Sequence, residues 1–153
     1  MIRRARAGDA AAVVAVWNPI IRDTAITFTD REKTEEDIRA LIEAQPFWII
    51  EGVAGFATHG VFRAGPGYAC TREHTIHLAP EARGRGMGRA LIEALQASAR
   101  ADGYRVLIGA VSGSNPAGIA FHTAMGFQTA GRLPDVGVKG GRFHDLVLML
   151  KPL

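Results

Sequence analysis

A strand, a glycine-rich loop and a helix follow one another in mid-chain, and this order constrains the fold more than any other feature. The apolar run Thr75–Ala79 is typical of a strand, and three glycines alternate with arginines in the loop Glu81–Arg89. From Ala90 to Ala99, apolar residues recur at three- and four-residue steps, which predicts a helix. Free N–H groups and the positive dipole end at a helix start attract anions. We therefore expect a pyrophosphate to bind this loop, with the arginine side chains adding forked donors.

The spacing of the loop separates it from two common phosphate-binding motifs. No Gly-Lys-Ser/Thr follows, so it is not a Walker loop. The glycines read G-x-G-x-G rather than G-x-G-x-x-G, and the unit lies in mid-chain, which argues against a dinucleotide fingerprint. On the residues alone, a tight strand-to-helix turn with solvated arginines stays open as an alternative.

Length and composition predict one ordinary globular domain over residues 1–153. The chain is 48% hydrophobic and 22% charged, with a formal net charge of +3. It has no long basic run of the kind that binds nucleic acid or a membrane surface, and no apolar run long enough to span a bilayer. We expect a cytoplasmic protein. The single Cys70 excludes an internal disulfide and an all-cysteine metal site, and we expect it to be a partly buried thiol without a metal.

The first half of the chain shows two helical patterns and three strand-like runs. Asp9 lies at the start of the first helix, and Pro19 is expected to end or kink it. An irregular segment over residues 22–31 precedes a second helix, whose start has a capping-box pattern at Thr34 and Asp37. The predicted strands are Met1–Arg6, Phe47–Glu51 and Val53–Val61, the last two forming a hairpin around Gly52.

The second half predicts a βαβ unit followed by two more strands. The helix Ala90–Ala101 lies between two strands, so these strands should run parallel. Asn115 and Pro116 have the residue types of a helix N-cap and first position, and Gly137–Gly141 is expected to be a turn. The predicted strands are Thr71–Ala79, Arg105–Val111, Phe127–Arg132 and Phe143–Leu150. Together the elements predict an α/β domain with a mixed sheet that is mostly antiparallel.

The glycine loop and several other stretches resemble a known family. Arg83-x-x-Gly86-x-Gly88 is similar to the R/Q-x-x-G-x-G/A loop of the GNAT superfamily of acetyl-CoA-dependent N-acetyltransferases. The second half resembles its phosphinothricin and methionine sulfoximine/sulfone N-acetyltransferases. The stretches that carry this are Thr71–Leu78, Ala82–Arg89, Asn115–Ile119, Met125–Phe127, Gly131–Gly137 and Gly141–Leu146, with Trp17-Asn18 and Asp23–Ile26 nearer the start. The resemblance implies the GNAT fold with a central parallel strand pair flanked by helices, acetyl-CoA as co-substrate, a small amine as acceptor, and a homodimer.

Acetyl transfer to an amine needs a group that removes a proton from the attacking nitrogen, and Glu73 is the best candidate. It precedes the glycine loop on the same predicted strand, and it matches the presumed base of the subgroup. A glutamate on a partly apolar strand is expected to have a raised pKa, which suits a base near neutral pH. The alternative is an ion pair with Arg72 or Arg63.

The resemblance also implies the residues that bind cofactor and substrate. The strand before the loop would offer backbone groups to the pantetheine arm and acetyl carbonyl, the loop would hold the pyrophosphate, and Asn115 would bond the pantetheine region. The implied cofactor-binding residues are Ile76, His77, Leu78, Arg83, Gly84, Arg85, Gly86, Met87, Gly88, Arg89 and Asn115. The implied substrate-binding residues are Arg63, Ala64, Gly65, Glu73, His74 and Thr75. Arg63 would pair with a substrate carboxylate, or it is a solvated loop arginine.

Two departures from the family pattern bear on function. Many GNAT enzymes carry a tyrosine as general acid at the position of His122, which is expected to be a surface residue of a helix, and the identity of the acid stays open. Arg72 replaces a common apolar residue beside Glu73, which leaves the substrate less defined than the cofactor. Beside a small-molecule N-acetyltransferase, two alternatives remain: a protein or peptide N-terminal acetyltransferase, and an acyl-CoA-binding sensor without turnover.

Overall fold

The computed structural model describes residues 1–153, which form seven strands and four α-helices. The strands are β1 (Ile2–Arg4), β2 (Phe47–Ile50), β3 (Gly55–Val61), β4 (Thr71–Leu78), β5 (Val106–Ser112), β6 (Gln128–Lys139) and β7 (Arg142–Pro152). The helices are α1 (Ala10–Asp23), α2 (Glu35–Ala44), α3 (Met87–Ala101) and α4 (Pro116–Ala124). None of the helices is both long enough and apolar enough to cross a bilayer.

All seven strands belong to one mixed sheet with the order β1-β2-β3-β4-β5-β7-β6. Only β4 and β5 are parallel, and every other neighbouring pair is antiparallel. The helix α3 connects the two parallel strands, as expected for a βαβ unit. The α/β class, the mixed sheet and its parallel pair are therefore confirmed.

The parallel pair separates before either strand ends. Its register runs from Thr71 opposite Val106 to His74 opposite Gly109 and stops there. On their other sides, β4 stays paired with β3 as far as Leu78, and β5 stays paired with β7 as far as Ser112. A gap therefore opens between the carboxyl ends of β4 and β5.

Two hydrophobic clusters cover the two faces of the sheet. One joins α3 to the sheet through Leu91, Leu95, Leu107 and Val147. The other packs α1 and α2 on the opposite face, and it includes Trp17, which contacts Phe56 with 4.8 Å between ring centroids. Burial of these apolar side chains is the main force that holds the helices on the sheet.

Local capping signals explain where two of the helices begin. The Thr34 side chain accepts a hydrogen bond from the Asp37 N–H, and the Asp37 carboxylate accepts one from the Thr34 N–H. Asn115 caps α4 by accepting from the Gly118 N–H at 3.0 Å, with Pro116 in the first helical position. Both capping predictions are confirmed.

Pro19 does not end the first helix, which continues to Asp23. Proline removes one backbone donor and leaves the carbonyl four residues earlier, at Ala15, without its helical partner. Both Pro19 and Ala15 are exposed, so water can solvate that carbonyl. Cys70 also differs from expectation, because it is exposed rather than partly buried.

The last hairpin is longer than predicted. Strand β6 runs to Lys139, which pairs with Arg142, so only Gly140 and Gly141 form the turn. Both have positive φ, as a two-residue hairpin turn requires. Gly137 lies within the strand, where the Phe28 ring occupies the space that a side chain would need. The other shifted boundaries are the start of β3, at Gly55 rather than Val53, and the start of α3, at Met87 rather than Ala90.

Candidate active site

The glycine turn, residues 84–88, leaves several backbone donors free at the start of α3. Gly84 and Gly86 have φ values of +70° and +77°, a region that glycine enters without strain. The first hydrogen bond into the helix runs from the Ala90 N–H to the Gly86 carbonyl at 3.1 Å. The N–H groups of Met87, Gly88 and Arg89 therefore have no partner in the helix, and they face the position where an anion is most stabilised.

A cavity of about 490 Å³ adjoins the glycine turn. Such a volume suits a small-molecule or cofactor site. Of the residues predicted to bind the cofactor, those that line it are Ile76, His77, Leu78, Arg83, Gly84, Gly86, Gly88, Arg89 and Asn115. Arg85 and Met87 lie outside its lining. The Arg83 guanidinium donates to the Leu78 carbonyl with N–O distances of 3.3 Å, which ties the turn to the end of β4.

A second cavity of about 200 Å³ occupies the gap between β4 and β5. Thr75 and Ile76 line it from β4, and residues 109–112 line it from β5. It shares Ile26, Ile76, His77, Asn115 and His122 with the larger cavity, so the two spaces adjoin each other. A ligand long enough to occupy both would extend from the glycine turn into the gap.

The segment after α1 forms one wall of the smaller cavity. Ile26, Thr27 and Phe28 line it, and the Lys139 ammonium holds the segment by donating to the carbonyls of Ile21 and Thr27. The sequence marks this segment as irregular, and Asp23–Ile26 resembles the substrate-loop segment of the phosphinothricin and methionine sulfoximine/sulfone subgroup, but Thr27 and Phe28 were not predicted as site residues. The signal that could have indicated them is the mixture of β-branched and aromatic residues in a segment without periodicity.

Two buried polar atoms at these cavities have no hydrogen-bond partner in the protein. They are Thr27 Oγ1 and His77 Nε2. Buried polar side chains are nearly always paired in native proteins, so both atoms are available to a ligand. The His77 ring lies against Trp17 and Phe56, and burial lowers its pKa to about 4, which keeps it neutral near pH 7.

Glu73 lies on the same face of β4 as Thr75 and His77, in register with Gly60 of β3. It does not line either cavity itself, but Thr75, two residues further along that face, lines the smaller one. The carboxylate makes no ion pair, and partial burial raises its pKa. The alternative pairing with Arg72 is absent, because Arg72 Nε donates to His59 Nδ1 at 3.1 Å and its guanidinium lies over the Tyr104 ring.

The loop after β3 carries Arg63, Ala64 and Gly65, and all three residues are exposed outside the two cavities. The Arg63 guanidinium lies 5.4 Å from the centroid of the Tyr68 ring and has no carboxylate partner. It is therefore free to pair with an acid that arrives from solvent.

His74 and His122 are both buried, so the expectation of a surface histidine at position 122 is wrong. Their Nε2 atoms lie 2.9 Å apart. His122 is buried because α4 packs on β5 at Gly109, which has no side chain to keep the ring away. Burial lowers the pKa of both rings, that of His74 to about 3.

The distribution of His, Cys, Asp and Glu side chains bears on metal binding. No group of three or more of them is arranged to hold a metal ion. The site is instead built from backbone donors, arginines and buried histidines around a cavity.

Comparison with known proteins identifies the family. Residues 17–127 match the acetyltransferase (GNAT) family. The chain is 33% identical to the L-methionine sulfoximine/L-methionine sulfone acetyltransferase of Salmonella typhimurium, over 97% of this chain and 91% of the relative.

Two solved structures share the whole fold. A phosphinothricin acetyltransferase from Sinorhizobium meliloti, in complex with acetyl-CoA, superimposes with a TM-score of 0.92 at 30% identity, over 100% of this chain and 88% of the other. A ribosomal-protein-alanine N-acetyltransferase from Brucella melitensis superimposes with a TM-score of 0.95 at 34% identity, over 100% and 99%. The chain belongs to the GNAT family of acetyltransferases, has the GNAT fold, and uses acetyl-CoA as its co-substrate.

Proposed function

We propose that this N-acetyltransferase acts on the amino group of a small amino acid-like substrate of the phosphinothricin, methionine sulfoximine or methionine sulfone type. The observation that carries the proposal is the gap between β4 and β5, because its cavity adjoins the one at the glycine turn and is lined by Thr75, which lies on the same face of β4 as Glu73. Relatives named for these substrates match nearly the whole chain.

The residues around the larger cavity fit acetyl-CoA, which supplies an activated acetyl thioester when bound. The free N–H groups at the start of α3, together with Arg83 and Arg89, match the charge and donors that a pyrophosphate requires. Ile76, His77 and Leu78 present the unpaired edge of β4 to the pantetheine arm. Arg85 and Met87 belong to the same turn, and we assign them to the cofactor through their backbone alone.

Glu73 is the proposed general base. Residues two apart on a strand are separated by about 7 Å, so we expect the Glu73 carboxylate to act on a group beside Thr75 through a bridging water. Its raised pKa makes it a better proton acceptor than an ordinary surface glutamate. It would remove a proton from the substrate amine as the nitrogen attacks the acetyl carbon, while the carbon–sulfur bond breaks and coenzyme A leaves as the thiolate.

The proposed substrate contacts are spread over two segments. Arg63, with Ala64 and Gly65, offers a free guanidinium to a substrate carboxylate. Thr75 and His74 line the smaller cavity, where the amino group must lie to meet the acetyl group. Thr27 and Phe28 join these contacts as the opposite wall.

A variant at position 73 tests the mechanism. Glu73→Gln keeps the shape of the side chain but cannot take a proton, so turnover should fall by about 10²–10⁴-fold while acetyl-CoA affinity is retained. Free-thiol release would be measured with methionine sulfone, methionine sulfoximine, phosphinothricin and ordinary amino acids. Glu51→Gln, at an exposed glutamate in the β2–β3 turn, is the matched control. A Glu73→Gln enzyme with wild-type turnover contradicts the assignment of the base.

A second candidate function is acetylation of protein or peptide N-termini. The similarity to the Brucella melitensis ribosomal-protein-alanine N-acetyltransferase favours it. Mass spectrometry of peptides and ribosomal proteins incubated with the enzyme and acetyl-CoA separates it from small-molecule acetylation. Tight acetyl-CoA binding without turnover on any amine would instead indicate a sensor.

Three further expectations remain proposals: a single domain over residues 1–153, a homodimer, and a cytoplasmic location. Several apolar side chains on the last hairpin are exposed, among them Phe143 and Val136, which supports association of two copies. Light scattering on the purified protein measures the oligomeric state directly.

A further inference from the structure

His74 and His122 meet through hydrogen bonds that need more protons than two neutral rings carry. His74 Nδ1 lies 2.8 Å from the Ile108 carbonyl oxygen, and His122 Nδ1 lies 2.7 Å from the Gly118 carbonyl oxygen. A carbonyl oxygen only accepts, so each Nδ1 must donate its hydrogen. A neutral imidazole has one N–H, so both Nε2 atoms are then left bare, facing each other at 2.9 Å. One added proton turns this repulsive contact into an N–H···N hydrogen bond.

The surroundings hold the two rings in this arrangement. A side chain at Gly109 would place its Cβ 2.9 Å from His74 Cε1 and 3.2 Å from His122 Cδ2, so the glycine lets both rings lie against β5. The Phe127 ring packs on both, with centroid distances of 5.2 Å to each. The positions of the two rings, and with them the distance between the Nε2 atoms, are therefore set by four residues: Gly109, Phe127 and the two carbonyl acceptors, Ile108 and Gly118.

We propose that His74 and His122, the histidine pair, act as one protonation unit that binds a single proton between their Nε2 atoms. His74 is a positioning residue, because it sets the protonation and orientation of His122, which lines both cavities. A proton held there places one positive charge beside the gap between β4 and β5. In the proposed reaction, on which this last consequence rests, negative charge develops in that gap during acyl transfer, and a fixed positive charge stabilises it.

The charged and titratable groups near the pair allow one proton but not two. His59 of β3 stands opposite His74 and stays neutral, because its pKa is lowered by burial and by Arg72 to about 4. His77 of β4 is neutral as well, and β5 contributes no titratable side chain. No carboxylate is within hydrogen-bond distance of either ring.

Burial and hydrogen bonding act in opposite directions on the pair. Burial disfavours charge on each ring by itself. The shared hydrogen bond favours the first proton, since without it two nitrogen lone pairs are in contact. A second proton would set two N–H groups against each other, with no anion nearby to compensate. The pair therefore titrates as one unit.

Nitrogen NMR of the histidine rings tests the proposal on the protein without ligands, from about pH 5 to about pH 9. The expected result is that both Nδ1 atoms stay protonated while a single bridging proton is lost in one step that both rings report. Separate titration of the two rings, an unprotonated Nδ1 on either ring at neutral pH, or the absence of a bridging proton down to about pH 5 overturns the proposal.

Two variants separate the pair from its parts. His74→Phe removes the partner but keeps an aromatic ring, so His122 should lose its second proton at a pH lower by about one unit or more. Gly109→Ala keeps both rings but pushes them apart, and it should abolish the bridging proton. Gly131→Ala, where an added Cβ has no atom within 4 Å, is the control, and it should leave the spectrum unchanged.

Kinetics link the pair to the proposed reaction. In Gly109→Ala and His74→Phe, kcat should fall about tenfold or more and its pH dependence should shift, while KM for acetyl-CoA changes little. If the pair had only a structural role, both variants would be less stable but would keep the pH profile of wild type. That result would contradict the positioning role of His74. If wild type shows no turnover on any amine, the proposed function fails, whereas the ring titration still decides the protonation of the pair.

Discussion

Two glycines at opposite ends of α3 allow a controlled test of the glycine turn. Gly86 precedes the helix with φ +77°, and Gly103 follows it with φ +84°. An added Cβ would meet no atom within 4 Å at either position. Replacement by alanine therefore introduces only the backbone strain of a left-handed conformation, about 1–2 kcal/mol, at both sites. The change in unfolded-chain entropy is the same for both and cancels in the comparison.

The two variants should differ in where this strain becomes visible. For Gly103→Ala, the whole strain lowers the free energy of unfolding. With 153 residues, the entropy of unfolding is about 0.3 kcal/mol per kelvin, so this strain alone would lower the melting temperature by roughly 3–6 °C, and the lower entropy of the unfolded variant chain offsets part of that fall. In Gly86→Ala, the turn can relax in the free protein, and the strain then reappears when the cofactor requires the original conformation. Acetyl-CoA affinity should fall by about 5–30-fold, with a smaller loss of thermal stability.

Calorimetric titration with acetyl-CoA and thermal melting with and without it measure both quantities. The sum of the losses in unfolding and binding should be about 1–2 kcal/mol in each variant. Gly86→Ala could instead bind acetyl-CoA as tightly as wild type and show the whole strain as a lower free energy of unfolding. That result would show that the N–H groups of the turn do not bind the phosphates. Equal loss of affinity in Gly103→Ala would show that general destabilisation explains the effect.

Three further outcomes follow from single side chains. Turnover should fall as pH drops through the raised pKa of Glu73, which pH-rate profiles measure. Glu73→Gln should melt at a higher temperature than wild type above neutral pH, because the folded variant no longer buries a charge there, and the two melting temperatures should converge in acid. Melting curves check this, and lower stability of the variant refutes the burial argument. Lys139→Met should raise KM for the amine about tenfold and leave acetyl-CoA affinity unchanged, because it removes the hydrogen bond that holds the Thr27 segment against the smaller cavity. An unchanged KM would show that the position of this segment does not depend on Lys139. Asp9→Asn should lower stability at pH 7, because Arg3 donates to both Asp9 oxygens at 2.9 Å and lowers the pKa of that carboxyl group. The difference in stability from wild type should shrink as pH falls below about 4. Urea unfolding at several pH values measures it.

Much of the fold could be predicted because its local signals agree with its tertiary contacts. The capping residues Thr34 and Asn115 form their hydrogen bonds within a single turn, so no distant contact can override them. The parallel pairing of β4 and β5 followed from chain order and helix length. The continuation of α1 past Pro19 could not be predicted, because it depends on which helix face the proline occupies, and exposure of that face is a tertiary property.

Most of the residues proposed from β4 and the glycine turn lie around the two cavities, whereas the contributions of distant segments were not foreseen. His122 was expected at the surface because that is the commoner position of a helix histidine, while its burial depends on a glycine in β5. A glycine within the apolar strand Val106–Ser112 is itself a sign of close approach by another element. The composition of its segment could have marked Phe28 as a candidate, but its contact with Gly137 of the last hairpin depends on the fold.

The early end of the β4–β5 ladder has a consequence for the mechanics of the whole domain. Four strands lie on one side of this seam and three on the other, and the two sub-sheets share only four residue pairs. A ligand with polar groups that occupies the gap would add contacts between β4 and β5 beyond their four residue pairs. Bound ligand should therefore slow amide hydrogen exchange in both sub-sheets, including at residues far from the ligand itself. The domain is thus least rigid when empty, and its stiffness reports whether the cofactor is present.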